Sequence, residues 1–278
     1  MLTTTSDPLV RLIAPARGWR PIRLDEIWAS RELLYFLVWR DIKVRYKQTT
    51  LGIGWAVAQP FFTMVVFSLV FGRLGKLPSD GLPYPVFAYA ALLPWQLFAF
   101  ALTESSHSVV ANQRLITKVY FPRLIVPIAS VCVGVLDCAI SFVVLLALMA
   151  YYGLTPGWAV LTVPVWTLLA VVTALSAGLW LAALNVRYRD IRYTLPLLTQ
   201  LWLLATPVAY SITLVPPEWR TWYALNPMVG VVEAFRWAVV GGAAPSDAVW
   251  ISAAVSLVAL TGGLFYFRRT EQTFADVI

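Results

Sequence analysis

Charged residues, histidine and cysteine are all scarce in this chain, and each shortage excludes a class of function. Only 13% of its 278 residues are charged, about half the share of an ordinary soluble domain. The single histidine, His107, excludes a metal site built on several histidines. The two cysteines, Cys132 and Cys138, fall on different faces of one predicted helix, so we expect neither a disulfide nor a metal site. No nucleophile, base and acid are grouped in a way that indicates catalysis.

The chain also lacks the glycine-rich pattern that cradles nucleotide phosphates. That pattern, G-x-x-x-x-G-K-[ST], needs Ser or Thr after Gly-Lys, whereas Leu77 follows Gly75 and Lys76, and Val70 stands where the first glycine should be. We therefore expect that this chain does not hydrolyse ATP by itself.

Apolar residues, in contrast, are abundant: 60% of the chain is hydrophobic and its mean hydropathy is +0.74. A bilayer core of about 30 Å needs about 20 apolar residues of helix and tolerates charge poorly, so long charge-free windows locate membrane spans. The longest window, 138–186, is divided by the turn sequence YYGLTPGW at 151–158. The sequence predicts an all-α polytopic membrane protein with six spans, at about 52–72, 84–103, 124–150, 158–184, 195–213 and 248–267.

The distribution of Lys and Arg predicts the orientation. Seventeen of the 21 basic residues lie in the two terminal segments or in the loops 104–123 and 185–194, which six spans place on one side. Cytoplasmic segments carry an excess of Lys and Arg, so both termini are predicted to be cytoplasmic. The pI of about 9.6 then reflects topology and attraction to anionic headgroups, and we expect no nucleic-acid partner.

Ahead of the first span, residues 1–29 are predicted to form a weakly ordered basic arm, and residues 30–278 one transmembrane unit. Within residues 31–47, apolar residues recur at helical spacing while basic residues occupy another face. The apolar set is Tyr35, Val38, Trp39, Ile42 and Tyr46, and the basic set is Arg40, Lys43 and Lys47. Such a helix should lie in the membrane interface, as a working part of the protein or as a plain anchor.

Two connecting segments are themselves patterned as short helices. The cytoplasmic segment 111–122 predicts an amphipathic helix, equally consistent with a docking site for another subunit and with a linker that turns the chain. The outer segment 217–242 predicts two helices too short to span, divided by Asn226-Pro227. They are either re-entrant elements buried in protein or a cap on the outer leaflet. Glu233 and Arg236, three positions apart on the second helix, could pair there.

Asp137 is the one acid inside a predicted span. An ionisable group at that depth is a candidate for proton coupling or substrate contact, but without a visible basic partner a hydrogen-bonded packing role explains it equally well. Aromatic residues, 14% of the chain, suit either interfacial belts or the apolar faces of sugars in a channel. The possible channel-lining residues are Trp55, Trp95, Tyr210 and Trp222.

Five blocks of sequence resemble a known family in their order and spacing. They are RDIKVRYKQTTLGIGWAVAQP at 40–60, NQRLITKVYFP at 112–122, NVRYRDI at 185–191, TPVAYSITLVP at 206–216 and LNPMVGVVEAFRWAVVGG at 225–242. Together they resemble the membrane subunit of ABC-2 type exporters of polysaccharides and polyol phosphates, such as O-antigen, capsule and teichoic acid. The resemblance runs from about residue 30 to the C-terminus. One departure is TPV at 206–208, where the family more often carries Ser-Pro.

This resemblance implies a permease and not an enzyme. Such a subunit has six helices, lies in the bacterial inner membrane among its lipids, forms a homodimer and works with two copies of a cytoplasmic ATPase. ATP and Mg would bind that partner, and this chain would hold no cofactor and no metal. The cargo would be a glycan on an undecaprenyl diphosphate carrier, moved from the cytoplasmic to the outer face.

The resemblance also implies roles for three segments: helix 31–47 as an interface helix, 111–122 as the coupling helix that docks in the ATPase, and 217–242 as the outer gate. The coupling residues are Asn112, Arg114, Leu115, Lys118 and Phe121, and the gate residues are Asn226, Pro227, Glu233 and Arg236. The predicted substrate entrance, whose clustered cations would attract the carrier's diphosphate, is Arg40, Lys43, Arg45 and Lys47.

Other functions remain open at this stage. Within the family, the cargo could be capsule, teichoic acid, or a small lipid or drug. An ion-coupled flippase would need several charges inside the membrane and no ATPase, and a membrane-embedded glycosyl- or lipid-modifying enzyme would show acidic or histidine clusters at a membrane face.

Overall fold

The computed structural model describes residues 24–47, 52, 54–242 and 244–274, and these residues form helices and connecting turns without a β-strand. The predicted all-α class is therefore confirmed for the part of the chain that is described. Most of the predicted basic arm, residues 1–23, lies outside that part. Its last six residues form a short helix, α1 (Leu24–Ala29).

Ten further α-helices follow α1 among the described residues. They are α2 (Arg31–Lys47), α3 (Gly54–Phe67), α4 (Tyr84–Ala111), α5 (Gln113–Lys118), α6 (Ile125–Tyr151), α7 (Val163–Arg187), α8 (Ile191–Leu204), α9 (Pro217–Tyr223), α10 (Pro227–Val240) and α11 (Ala248–Thr270). A π-helical segment, Ser68–Leu74, continues α3, and a 3-10 segment, Trp158–Thr162, leads into α7.

Five stretches of helix in the described residues are long and apolar enough to cross a membrane. They are Gly54–Leu74, Tyr84–Ala111, Ile125–Tyr151, Trp158–Arg187 and Ala248–Thr270. Each overlaps a predicted span. All five continue past the predicted end. Glu104 in α4 and Arg187 in α7, for example, remain helical although each of them closes a charge-free window.

The predicted span at 195–213 does not form one long helix. Its helix, α8, has 14 residues and ends at Leu204, which gives a length of about 21 Å, short of the roughly 30 Å of a bilayer core. The break falls just before Pro207, because proline has no N–H to donate and disfavours helical geometry in the residue before it. The segment from Thr206 to Ala209 is buried although it is not helical.

Helix α4 is the centre of the molecule. It packs against α6 and α7, and α11 packs in turn against α7 and α10. Aromatic and aliphatic side chains of α4, among them Phe87, Tyr89 and Phe98, are fully buried. A second apolar cluster joins the segment after α5 to the end of α11 and contains Phe121 and Phe267.

Helix α2 packs against α6 next to this second apolar cluster. Its buried residue, Leu37, contacts a small cluster with Ile125 and Ala129. Of the apolar set predicted from the sequence, Val38, Ile42 and Tyr46 are half-buried, while Tyr35 and Trp39 are 62% and 46% exposed.

Candidate functional site

An ion pair joins α2 to the middle of α6. The Nη2 atom of Arg45 lies 2.6 Å from Oδ2 of Asp137, and the Tyr46 hydroxyl donates to Oδ1 of the same carboxylate. The Arg45 guanidinium also lies over the ring of Phe100, 4.5 Å from its centroid. Burial raises the pKa of Tyr46, and the hydrogen bond to Asp137 raises it further, so the hydroxyl stays protonated and remains a donor. Asp137 thus has the basic partner that the sequence did not reveal.

A cavity of about 380 Å³ lies beside this pair. Its wall is built from α2, α3, α4 and α6 together with Leu203 of α8, and Arg45 and Asp137 form part of it. Its other polar members are Gln59, Thr63, Gln96, Thr103, Glu104 and Ser141. Gln59 and Glu104 are exposed, so the cavity can be reached from outside the chain.

The predicted entrance residues do not form one group in the structure. Arg40, Lys43 and Lys47 are exposed on α2, whereas Arg45 turns towards Asp137 and the cavity. Arg40 pairs with Asp41 at 2.8 Å and donates to Oδ1 of Asn112 at 3.0 Å. The Nζ atom of Lys43 lies 5.1 Å from the centre of the Trp39 ring. The basic face of α2 therefore contains three of the four predicted cations.

The predicted coupling residues divide into exposed and packed ones. Arg114 and Lys118 on α5 are exposed. Asn112 accepts from Arg40, Leu115 is half-buried, and Phe121 is buried in the chain's own second apolar cluster. Phe121 cannot therefore insert into another subunit while that cluster is intact.

The large exposed side chains in this region are Val119 and Tyr120, which are 50% and 80% exposed. Sequence periodicity groups Phe121 with the apolar side of the segment, but it does not say whether that side faces the same chain or a partner.

Side chains from elsewhere in the chain donate hydrogen bonds to the carbonyl groups of the non-helical segment after α8, residues 205–210. Asn226 donates from Nδ2 to the carbonyl of Ala205 at 2.8 Å and to Oγ1 of Thr206 at 3.1 Å. The Tyr84 hydroxyl donates to the carbonyl of Ala209 at 2.5 Å. An irregular backbone at membrane depth requires such partners, because no water replaces them there.

Arg236 supplies the remaining contacts to this segment. Its Nη2 atom donates to the carbonyls of Pro207 and Val208, at 2.7 and 3.3 Å, and its guanidinium lies 3.8 Å from the centre of the Phe87 ring. Burial lowers the pKa of Arg236 to about 10, so the side chain is still charged at neutral pH. Glu233 accepts from the backbone N–H and hydroxyl of Ser246, each at 3.4 Å, instead of pairing with Arg236.

Asn226 and Pro227 also begin α10. Oδ1 of Asn226 accepts from the N–H of Met228 at 3.1 Å and from Nε1 of Trp202 at 2.8 Å, and Pro227 occupies the first helical position. Two predicted gate residues, Asn226 and Arg236, thus both donate hydrogen bonds to the segment after α8. Tyr84 and Trp202 belong to the same network and were missed from the sequence, where nothing links them to it.

The four possible channel-lining aromatics do not meet. Trp55 and Trp222 are 57% and 68% exposed, in different parts of the chain. Trp95 is buried and forms part of the cavity wall. Tyr210 donates to the carbonyl of Leu204 and shares a 2.6 Å hydrogen bond with the hydroxyl of Tyr223.

Among the described residues, no group of three His, Cys, Asp or Glu side chains could hold a metal ion. His107 lies against Nδ2 of Asn185, 3.0 Å from its Nδ1 atom. The arrangement as a whole, with several helices able to cross a membrane, a polar cavity between them and a broken helix satisfied by buried side chains, defines a multi-pass membrane protein of the transporter type.

The chain belongs to the ABC-2 type transporter family, because the sequence model of that family matches residues 32–240. It is 31% identical over 258 residues to the O-antigen export system permease protein RfbA of Myxococcus xanthus, a match that covers 91% of this chain and 98% of that protein. It is 26% identical over 249 residues to the protein of the same name from Klebsiella pneumoniae, with 89% and 95% covered.

A third relative is the polysialic acid transport protein KpsM of Escherichia coli, which is 25% identical over 241 residues, with 84% and 91% covered. The resemblance seen in the five sequence blocks is therefore confirmed at the level of the family.

Proposed function

We propose that this chain is the membrane-spanning permease subunit of an ABC transporter that exports lipid-linked polysaccharide of the O-antigen type. The observation that carries the proposal is the match to the Myxococcus xanthus O-antigen permease, which extends over 98% of that protein. Two copies of the chain would form the permease in the bacterial inner membrane, and two copies of a separate ATPase would bind ATP and Mg and drive it.

The proposed topology has six crossings with both termini in the cytoplasm. The five long helices supply five of them, and α8 together with the segment after it supplies the sixth. The side-chain hydrogen bonds on that segment support this assignment, because they satisfy its carbonyls without water. Under this topology, α9 and α10 form the outer gate next to the end of the sixth crossing.

The proposed cycle begins at the basic face of α2. Lys43 and Lys47 are exposed there, next to the predicted membrane surface, and would attract the diphosphate of an undecaprenyl-linked glycan. The exposed residues Arg114 and Lys118 of α5 would dock in the ATPase. Movement of α5 would reach α2 through the hydrogen bond between Arg40 and Asn112, so that one displacement affects both docking and entrance.

The decisive experiment is deletion of the gene, followed by complementation and analysis of the lipid-linked glycan. We expect the deleted strain to accumulate polymer on the cytoplasmic side and to lose it from the surface, with both changes reversed by the wild-type gene. Loss of polymer synthesis would instead favour an enzyme, and normal surface polymer would contradict export by this chain.

The similarity to the polysialic acid transport protein supports capsule export as a second candidate. The same deletion strain distinguishes the two, because loss of surface polysaccharide linked to lipid A indicates O-antigen, whereas loss of polysaccharide that is not linked to it indicates capsule.

A further inference from the structure

The cavity beside Arg45 and Asp137 has the chemistry of a binding site for an uncharged polar molecule. Its volume of about 380 Å³ lies within the roughly 300–1,000 Å³ range of small-molecule sites in proteins. Its wall combines aromatic side chains, Trp95 and Phe100, with amide, hydroxyl and carboxyl groups. A purely structural gap between membrane helices would be lined by apolar groups, since unused polar groups are costly there.

The charges of the lining argue against an anionic occupant. Arg45 is the one cation among the described lining residues, and Asp137 already lies 2.6 Å from it. Glu104 adds a second carboxyl group. With one cation and two carboxyl groups, the cavity offers no net positive charge to a phosphate. The exposed cations Lys43 and Lys47 lie on a different part of α2.

The hydrogen-bonding groups of the lining suit hydroxyl groups. The side-chain amides of Gln59 and Gln96 each offer donors and an acceptor, and neither makes a hydrogen bond within the described part of the chain. The Thr63 and Thr103 hydroxyls donate to carbonyls of their own helices, at 2.8 Å in both cases, and keep their acceptor capacity. A sugar hydroxyl both donates and accepts, so it matches this mixture.

We propose that the cavity binds an uncharged, hydroxyl-rich sugar residue of the exported glycan, with Gln59, Gln96 and Glu104 bonding its hydroxyl groups. The Trp95 ring would pack against an apolar face of the sugar. This inference rests on the proposed function and divides the cargo between two places. The diphosphate stays at the exposed cations of α2, and the adjoining sugar enters the cavity.

Photo-crosslinking in cells tests the proposal directly. A photoreactive benzoyl-phenylalanine replaces Thr63, which lines the cavity, or Val143, which is 66% exposed on α6 and outside the cavity. After illumination, the tagged chain is purified and probed with an antibody against the host's own surface glycan. We expect glycan on the chain labelled at position 63 and not on the chain labelled at 143. Equal yields at the two positions, or lipid without glycan at 63, would overturn the inference.

Substitutions in the same labelled chain identify the recognising groups. Gln96→Leu and Glu104→Gln should each lower the cross-link yield at position 63 by about tenfold, the ratio that corresponds to roughly 1.4 kcal/mol of binding. Asp25→Asn, which likewise turns an exposed carboxyl group into an amide but lies on α1, is the control and should leave the yield unchanged. Thermal unfolding in detergent is measured for each variant. Unchanged yields in two stably folded cavity variants would exclude these side chains as ligands and count against the site.

The deletion strain separates failure of this inference from failure of the proposed function. If deletion of the gene leaves surface polysaccharide intact, the proposed function fails. If deletion abolishes surface polysaccharide and polymer accumulates on the cytoplasmic side, but position 63 never cross-links to glycan, the chain is an exporter and the cavity is not its sugar site.

Discussion

The guanidinium of Arg45 and the carboxylate of Asp137 form an ion pair at 2.6 Å that ties α2 to α6. Its two ends differ in surroundings, since the Arg45 side chain is 38% exposed and that of Asp137 only 16%. The carboxylate also accepts from Tyr46. One acid on a predicted membrane span thus contacts two consecutive residues of α2.

We expect Arg45 and Asp137 to be energetically coupled. In a double-mutant cycle with Arg45→Met and Asp137→Asn, the coupling energy should be about 1–2 kcal/mol, below the roughly 3–5 kcal/mol cost of breaking a fully buried pair, because Arg45 is partly exposed. The measurement is unfolding of the detergent-solubilised protein in denaturant. Additive single effects would show that the pair contributes nothing beyond its members.

Replacing Arg236 should destabilise the segment after α8. Arg236→Met leaves the carbonyls of Pro207 and Val208 without their charged donor, at a cost of about 1–3 kcal/mol. Thermal unfolding in detergent measures the effect. Arg73→Met, at an exposed arginine in the π-helical segment after α3, is the control and should change the midpoint little. Equal midpoints for the two variants would mean that the carbonyls find other partners.

Gly230 of α10 packs closely against α11, and a larger residue should separate the two helices. A Cβ atom there would lie 2.7 Å from Cβ of Ser252 and 2.9 Å from Cα of Val249, and the second of these is backbone that cannot turn away. Gly230→Val should therefore lower stability by about 1–3 kcal/mol. Gly157→Ala is the control, because a Cβ atom meets nothing within 4 Å there. A midpoint for Gly230→Val as high as that of the control would contradict the close packing.

We expect substitutions of the exposed coupling residues and of the buried one to have different effects on the protein. Arg114→Glu with Lys118→Glu changes exposed charges, so the protein should fold normally but lose its ATPase in co-purification. Phe121→Asp places a charge in the chain's own apolar cluster and should reduce the amount of folded protein itself. A stable Phe121→Asp protein that lacks only the ATPase would mean that Phe121 docks directly.

The exposed cations of α2 should matter for export and not for folding. Lys43→Gln with Lys47→Gln removes two charges from the proposed entrance and should reduce surface polysaccharide several-fold, since each cation near a membrane contributes about 1 kcal/mol towards anionic groups. Arg73→Gln with Lys76→Gln removes the same charge from exposed residues before α4. The proposal fails if both pairs leave export at the wild-type level while the proteins insert normally.

The long helices were predictable because one physical rule determines them. A charge-free window of about 20 residues is what a bilayer requires, and the five long helices overlap such windows. The same rule does not give the length of the helix at 195–213, where the window is free of charge but contains Pro207. Composition alone does not register that one proline ends α8 at Leu204.

Contacts between distant residues were not predictable from one sequence. Tyr46 and Asp137 are 91 positions apart, and periodicity gives the face of each helix without saying which helix it meets. The same limit applies to Arg236, for which the sequence offers its neighbour Glu233 as one partner, whereas it donates to carbonyls 28 and 29 positions away. Only the structure shows what the predicted gate residues Asn226 and Arg236 contact.

The segment after α8 also links the helices at its end of the molecule, which restricts how they can move. Its carbonyls are held from α4 by Tyr84 and from α10 by Asn226 and Arg236. These bonds fasten two helices to a single short stretch of backbone, and the same stretch directly continues a third helix, α8. We therefore expect opening at this end to be cooperative: α8, α10 and the start of α4 would shift together as one rigid unit, and the hinges would lie in the loops on either side of it.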